Sequence, residues 1–496
     1  MIVKTITILG GGTAGWMVAA ALSERYKNFE LKIRLIESDS ISSVGVGEAT
    51  VPGIIKFHQH LNIREQDFIR ATDATFKLGI EFKNWYKKAH RFFHPFAAFG
   101  DAISGQDFYQ CWLKLYKEGI RYPLEDFCLA INLAKKGKFA QPDDNATTRL
   151  ALYSYAYHFD ASRYAVFLRD YAQARGVERI EGKVANVTQN ENGNIKALIL
   201  EDEREIDGDL FIDCSGFRAL LIEQTLHTGF DNWSHWLPCD HAVTVQSGAM
   251  KEPAPYTRST ALPAGWQWRI PLKHRVGNGY VYCSKFATEV EAKDALLNNI
   301  EGEALTEIRK IEFETGMRKK FWNKNCVALG LASGFIEPLE STSISLIQTG
   351  IEKLMQFMPN LEIKPGEVDE ANRLNKLEYE RIRDFIVLHY KSSQRTDSEF
   401  WRYVRTMSIP ETLSEKIRRF SNDGTVLLGE QESFTEQSWI AMYNGFKRIP
   451  RKCQLSESLL SSDKLKIILD SMRHAISKGA DYAPTHADFL KDVYAK

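Results

Sequence analysis

Three glycines, Gly10, Gly12 and Gly15, stand in GxGxxG spacing between a run of apolar residues and a run of small ones. In that spacing the first glycine allows a tight turn and the second lets a pyrophosphate approach the backbone. The third lets a helix pack closely on a strand. Thr13 and Ala14 complete the turn, and the phosphates meet a helix N-terminus whose N–H groups and dipole favour negative charge. Glu37 closes the next apolar run, where a carboxylate can hold ribose hydroxyls. A glycine-rich turn with no nucleotide is the competing reading, and the flanking strands together with Glu37 argue against it. Two further residues, Trp266 and Trp268, are spaced i, i+2 and so share one face of a strand. The cysteines are odd in number and scattered, with no CxxC pair and no His/Cys cluster at metal spacing, so no metal is expected.

These residues need elements to position them. Residues 2–9 (IVKTITIL) read as a buried strand, a helix of small residues runs from Trp16 to about Tyr26, and LKIRLIE (31–37) is a second strand. Helices are expected over roughly 54–90, and an irregular lobe over 91–150. A further helix at about 161–175 stops on Gly176, and the turn ENGN (191–194) marks a hairpin. DLFIDCSGF (209–217) and VALGLASGFIEPLEST (327–342) each read as a strand breaking into glycine and small residues. A nicotinamide-only site does not need such extra turns. Folds of the FAD monooxygenase type use them to return to the cofactor, so FAD is the expected dinucleotide, with Leu331 among its contacts. From 350 onward the chain reads as helical, with dense Lys/Glu/Arg faces.

Bulk composition narrows the partners. Lys plus Arg equals Asp plus Glu at 64 each, so no net field draws nucleic acid or an anionic membrane. No apolar run approaches the ~18 residues of a membrane span. The N-terminus runs straight into a strand with no leader pattern, and free cysteines suit a reduced compartment, so a soluble cytoplasmic protein is expected.

Beyond these residues the chain resembles the flavin-dependent halogenases, the group that includes the tryptophan halogenases. GWQWRIP (265–271) matches their WxWxIP signature through Trp266, Trp268, Ile270 and Pro271. The resemblance implies that this strand lies beside the flavin and keeps substrate away from it. GVGEATVPG (45–53) resembles the loop over the flavin, which assigns Gly47, Ala49 and Thr50 to the cofactor. TFKLGIEFKNW (75–85) resembles the segment of the catalytic lysine, and PLEST (338–342) that of the catalytic glutamate, placing those roles on Lys77 and Glu340. Without the resemblance, Lys77 reads as a surface lysine and Glu340 as a helix cap. The likeness runs from Gly10 to about Trp439. It implies reduced FAD delivered by a separate flavin reductase, with oxygen and halide, chloride or bromide, yielding hypohalous acid. Lys77 then directs the halogen, either as a hydrogen-bonding ammonium or as a haloamine. Glu340 stabilises and deprotonates the arene cation. His94 and Phe96 resemble residues that sandwich an indole ring, and Trp439 is retained on the substrate side.

The chain departs from the family in two places. Where the family usually reads ESTG, this chain reads Glu340-Ser341-Thr342-Ser343, so the halide contacts expected at Thr342 and Ser343 carry a serine for a glycine at a crowded turn. Bromide, the easier halide to oxidise, is expected to be favoured. The segment 424–446 lacks the Tyr-Tyr pair that clamps a free amino acid, and Glu430, Glu432 and Glu436 read chiefly as solvated surface. The expected substrate is therefore an electron-rich, indole-like aromatic and not free tryptophan. The expected fold is α/β: an FAD-binding, monooxygenase-like, Rossmann-type GxGxxG fold with large mixed β-sheets and a helical C-terminal part. Residues 1–349 form the FAD module, with 91–160 and 225–300 covering the substrate. Residues 350–496 either complete the substrate side or pair subunits in a homodimer. The competing functions are an FAD-dependent aromatic monooxygenase, with a flavin reducible by nicotinamide, and a protein that only binds FAD.

Overall fold

The apolar runs that begin the chain build a sheet buried on both faces. Its six strands lie in the order Trp322–Asn323, Cys326–Ala328, Leu210–Asp213, Thr5–Leu9, Lys32–Glu37, Glu178–Glu181, and all pair in parallel except the first. Parallel strands need both faces covered, and Ile6, Ile8, Leu35, Phe211 and Ile212 are accordingly fully buried. The helix Thr13–Arg25 packs on Ala161–Gln173 and on Ser343–Phe357. Asp160 caps Ala161–Gln173 by accepting from the N–H groups of Ser162 and Arg163, and Gly176 (φ 87°) follows its end as expected. The ENGN turn joins Val184–Gln189 to Ile195–Leu200 in an antiparallel hairpin, with Gly193 at φ 76°.

This computed structural model describes residues 1–40, 47–143, 148–455 and 461–495. Two compact units divide it. One comprises Met1–Ala74, Phe159–His241 and Ile311–Arg381; the other comprises Thr75–His158, Ala242–Lys310 and Ile382–Lys496. The expected boundary at 349/350 thus falls inside the helix Ser343–Phe357, within the first unit. Each unit is closed by strands and helices from distant stretches, which a linear reading of composition does not reveal.

The second unit is built on a seven-stranded sheet ordered Arg309–Glu312, His241–Gly248, Arg275–Tyr282, Gly265–Pro271, Thr257–Leu262, Gly79–Lys83, Arg91–Pro95. The pairing of Thr257–Leu262 with Gly79–Lys83 is parallel, and its neighbours on either side are antiparallel. Here the structure corrects the helix expected over 54–90. Helices cover Gly53–His60 and Glu65–Thr72; Asp73 then takes a left-handed φ of 51°, and strands follow at Thr75–Lys77 and Gly79–Lys83. The alternation in TFKLGIEFK is a period of two, the mark of a strand, and the buried sheet selects it over helix. Helices do dominate from Pro365–Lys391 to His486–Ala495. Among the described residues no helix is long and apolar enough to cross a membrane.

Candidate functional site

The glycine turn is shaped by contacts that leave no room for side chains. Gly10 holds φ +114°, and a methyl group on it would lie 2.3 Å from the carbonyl oxygen of Cys214. A methyl on Gly15 would lie 1.8 Å from the carbonyl oxygen of Gly10. Gly12 differs: a methyl there meets nothing within 4 Å. The helix that Gly12 caps has no side-chain cap bond and no acidic residue in its first turn. An uncapped helix N-terminus beside open space is what a pyrophosphate requires, so the residues fit FAD. Both later turns return here. Cys214 covers Gly10, and Gly330 (φ +66°), next to half-buried Leu331, lies so near Ala14 that a methyl on it would come within 2.9 Å of the alanine Cβ.

Glu37 ends its strand as expected, but it has protein partners. Arg179 Nε donates to its Oε1 at 2.5 Å and Trp16 Nε1 to its Oε2 at 3.3 Å. Arg179 also donates to Asp39 and Glu181, and its bond to Glu37 is the chief cause that raises the guanidinium above its ordinary value. In the loop that resembles the flavin cover, Gly47 has φ 106° and Ala49 and Thr50 are buried; Gly45 and Val46 lie outside the described residues. Burial pushes the carboxyl of Glu48 up to about 7, a titration near neutrality that its small, apolar neighbours could have signalled.

The PLEST segment forms a turn at the head of a long helix. Pro338–Glu340 is a single 3₁₀ turn, Ser341 takes φ 59°, and Thr342 directly precedes the helix Ser343–Phe357. Glu337, Glu340 and Thr342 are all buried, and Thr342 Oγ1 has no hydrogen-bond partner among the described residues. The helix start again lacks a side-chain cap and an acidic residue. A buried helix N-terminus with a spare hydroxyl suits a small anion. Ser343 is the first helical residue and has no positive φ. The left-handed position of this turn is Ser341, not Ser343.

In the second unit, Lys77 is fully buried, and its Nζ lies 5.2 Å from the ring centroid of Phe96. The surface-lysine reading is thereby overturned. Trp266 and Trp268 share one face as their spacing requires, with ring centroids 6.0 Å apart, on a strand buried at all seven positions. Gly279 faces Trp268 in register because a methyl there would fall 2.1 Å from the indole. Ile270 is buried, and the Pro271 carbonyl accepts from Thr75.

Of the three expected substrate contacts, only Phe96 is half-exposed. His94 and Trp439 are buried around Phe385: the His94 ring lies 5.6 Å from it, and Trp439 meets it edge-on at 4.9 Å. Phe434 stacks on Phe385 at 3.8 Å. No local sign in the sequence announces these two phenylalanines, because one stands in a helix and the other in a loop far along the chain. Glu432 departs from the expected solvated surface. Its side chain is only 4% exposed and is paired with Lys416, whose Nζ lies 4.4 Å over the Trp439 ring. Glu430 and Glu436 are exposed as expected. No group of three or more metal-binding side chains occurs among the described residues.

A glycine turn met by three strand ends of a parallel sheet gives a mixed α/β fold with a dinucleotide-type site. The comparisons narrow the class. The family model for tryptophan halogenase matches residues 5–460. A 7-chloro-L-tryptophan 6-halogenase, KtzR from Kutzneria sp. (strain 744), is 34% identical, with 98% of each chain covered. Among solved structures, BrvH, a flavin-dependent halogenase from Brevundimonas sp. BAL3, is 43% identical at a TM-score of 0.96, with 99% of each chain covered. Xcc4156, a flavin-dependent halogenase from Xanthomonas campestris, is also 43% identical, with 99% of each chain covered and a TM-score of 0.95. The chain belongs to the tryptophan halogenase family, and it is an FADH2-dependent halogenase.

Proposed function

We propose that this enzyme halogenates an indole-like, electron-rich aromatic in preference to free tryptophan, favours bromide, and works through Lys77 and Glu340. The observation that carries this reading is the complete burial of Lys77 against Phe96, which a solvated lysine has no reason to adopt. Bound reduced FAD, delivered by a separate flavin reductase, supplies hypohalous acid with oxygen and halide. Lys77 then donates a hydrogen bond and a proton to the oxidant's oxygen, which leaves as water while the halogen bonds to a ring carbon. Glu340 opposes the positive charge on the arene and takes its displaced proton. Thr342 and Ser343 hold the halide at the helix start, and the turn Gly10–Gly15 holds the cofactor pyrophosphate.

Two features support the choice of substrate and halide. Glu432, the buried carboxylate of the segment 424–446, already has a cation in Lys416, which leaves it poorly placed to clamp a substrate ammonium. Ser343 brings a side chain to an anion site where the family has bare backbone, and bromide is oxidised more readily than chloride. With flavin reductase present and equimolar halides, brominated product should exceed chlorinated product by mass. Equal or greater chlorination overturns the bromide preference. In parallel assays, indole should give the higher kcat/KM. A lower KM together with a higher kcat for tryptophan overturns the substrate assignment.

A further inference from the structure

We propose that Thr75 and His158 are positioning residues that lock the Lys77 strand to the carbonyl of Pro271 at the end of the tryptophan strand. The inference rests on the catalytic reading of Lys77. Its basis is a closed chain of buried hydrogen bonds. Thr75 Oγ1 lies 2.6 Å from the Pro271 carbonyl oxygen and 3.1 Å from His158 Nδ1, and His158 Nε2 lies 2.9 Å from Thr257 Oγ1. A carbonyl only accepts, so the single hydroxyl proton of Thr75 goes to Pro271. Thr75 Oγ1 must then accept from His158, which places a proton on Nδ1. Burial, reinforced by the charge of Lys77 and by His486, holds His158 well below the ordinary imidazole range, so the ring is neutral. Nε2 is therefore an acceptor, and Thr257 donates to it. Every proton in the chain has one place.

The same three-residue strand is held a second time. Phe76 N–H donates to His486 Nε2 at 3.2 Å, and His486 Nδ1 lies 2.7 Å from the Pro253 carbonyl, which fixes that tautomer by the same logic. Thr75–Lys77 also pairs antiparallel with Ala156–His158, in the register Thr75 with His158 and Lys77 with Ala156. A strand this short has few ladder bonds, and its side-chain and backbone clamps set where Lys77 begins. A long, flexible lysine gains its aim from a fixed Cα and a fixed wall.

Thr75→Val replaces the hydroxyl by a methyl group of the same shape and removes both bonds, whereas Thr75→Ser retains them. With rates normalised to FAD-binding sites, Thr75→Val should lower kcat for halogenated product by about 30- to 100-fold, the scale of an ångström-sized misplacement. KM for the aromatic and the affinity for FAD should stay within about twofold, and Thr75→Ser should recover most of the rate. His158→Leu should behave like Thr75→Val, and the double variant should be no worse than either. Thr75→Val that keeps kcat within about threefold while Lys77→Ala is inactive overturns the positioning role alone. Multiplying effects in the double variant do the same, because independent losses are not a chain. Activity in Lys77→Ala overturns the catalytic reading and this inference with it.

Discussion

Lys77→Ala should abolish halogenation and leave FAD binding unchanged. On the proposed reading the group lost is the buried Lys77 amine, the one assigned to hold and turn hypohalous acid, and no water-borne cation can replace it there. Removing a single preorganised donor of this kind lowers kcat by about 100- to 1,000-fold, and a donor that also supplies the proton belongs at the upper end of that range. Lys77→Arg should not rescue the activity. A planar fork with five donors does not fit a fully buried site walled by Phe96. The variant should still bind FAD with wild-type affinity, because Lys77 is not part of the Gly10–Gly15 turn assigned to the pyrophosphate. Product mass spectra with a flavin reductase, alongside fluorescence titration of FAD, read both outcomes. Retained product formation in the alanine variant removes Lys77 from the mechanism.

Two alanine substitutions in one turn should separate folding from cofactor binding. In Gly15→Ala the new methyl lies 1.8 Å from a backbone oxygen that has no rotamer to escape into. The turn or the helix must move, at a cost of at least about 3 kcal/mol, the upper end of ordinary overpacking. Both the Tm of the cofactor-free protein and FAD binding should fall. In Gly12→Ala the methyl enters open space, and φ −75°, ψ −172° is comfortable for alanine. Its cofactor-free Tm should match wild type, yet FAD should bind at least about tenfold more weakly, a loss of about 1.4 kcal/mol. Wild-type FAD affinity in Gly12→Ala places the pyrophosphate elsewhere.

Sequence and structure agree most closely where local rules govern. The strand, glycine turn, helix and second strand are dictated by periodicity and by contacts within the turn itself. The two later turns at Cys214 and Gly330 pack on the first as their composition suggested. Disagreement begins where a residue's surroundings come from far along the chain. Lys77 sits in a charged-looking stretch, yet the strands and aromatic rings of its own unit bury it completely. Its strand carries a period of two in TFKLGIEFK that two genuine helices directly before it disguise. Glu432 looked solvated because nothing near it in sequence announces Lys416 as its partner. Ser343 stands where the family reads glycine, while the backbone places its left-handed residue two positions earlier, at Ser341. Charge pattern predicts exposure only where no distant element arrives to cover it.

The bond from Phe76 to His486 spans 410 residues, and it bears on how the enzyme is made. At about 5–20 residues per second, the ribosome delivers His486 roughly 20 to 80 s after Phe76. Through that interval the strand carrying Lys77 lacks one of its two clamps, whereas the first unit has all its stretches once Arg381 has emerged. The nascent chain can therefore close its dinucleotide fold well before the lysine strand is secured.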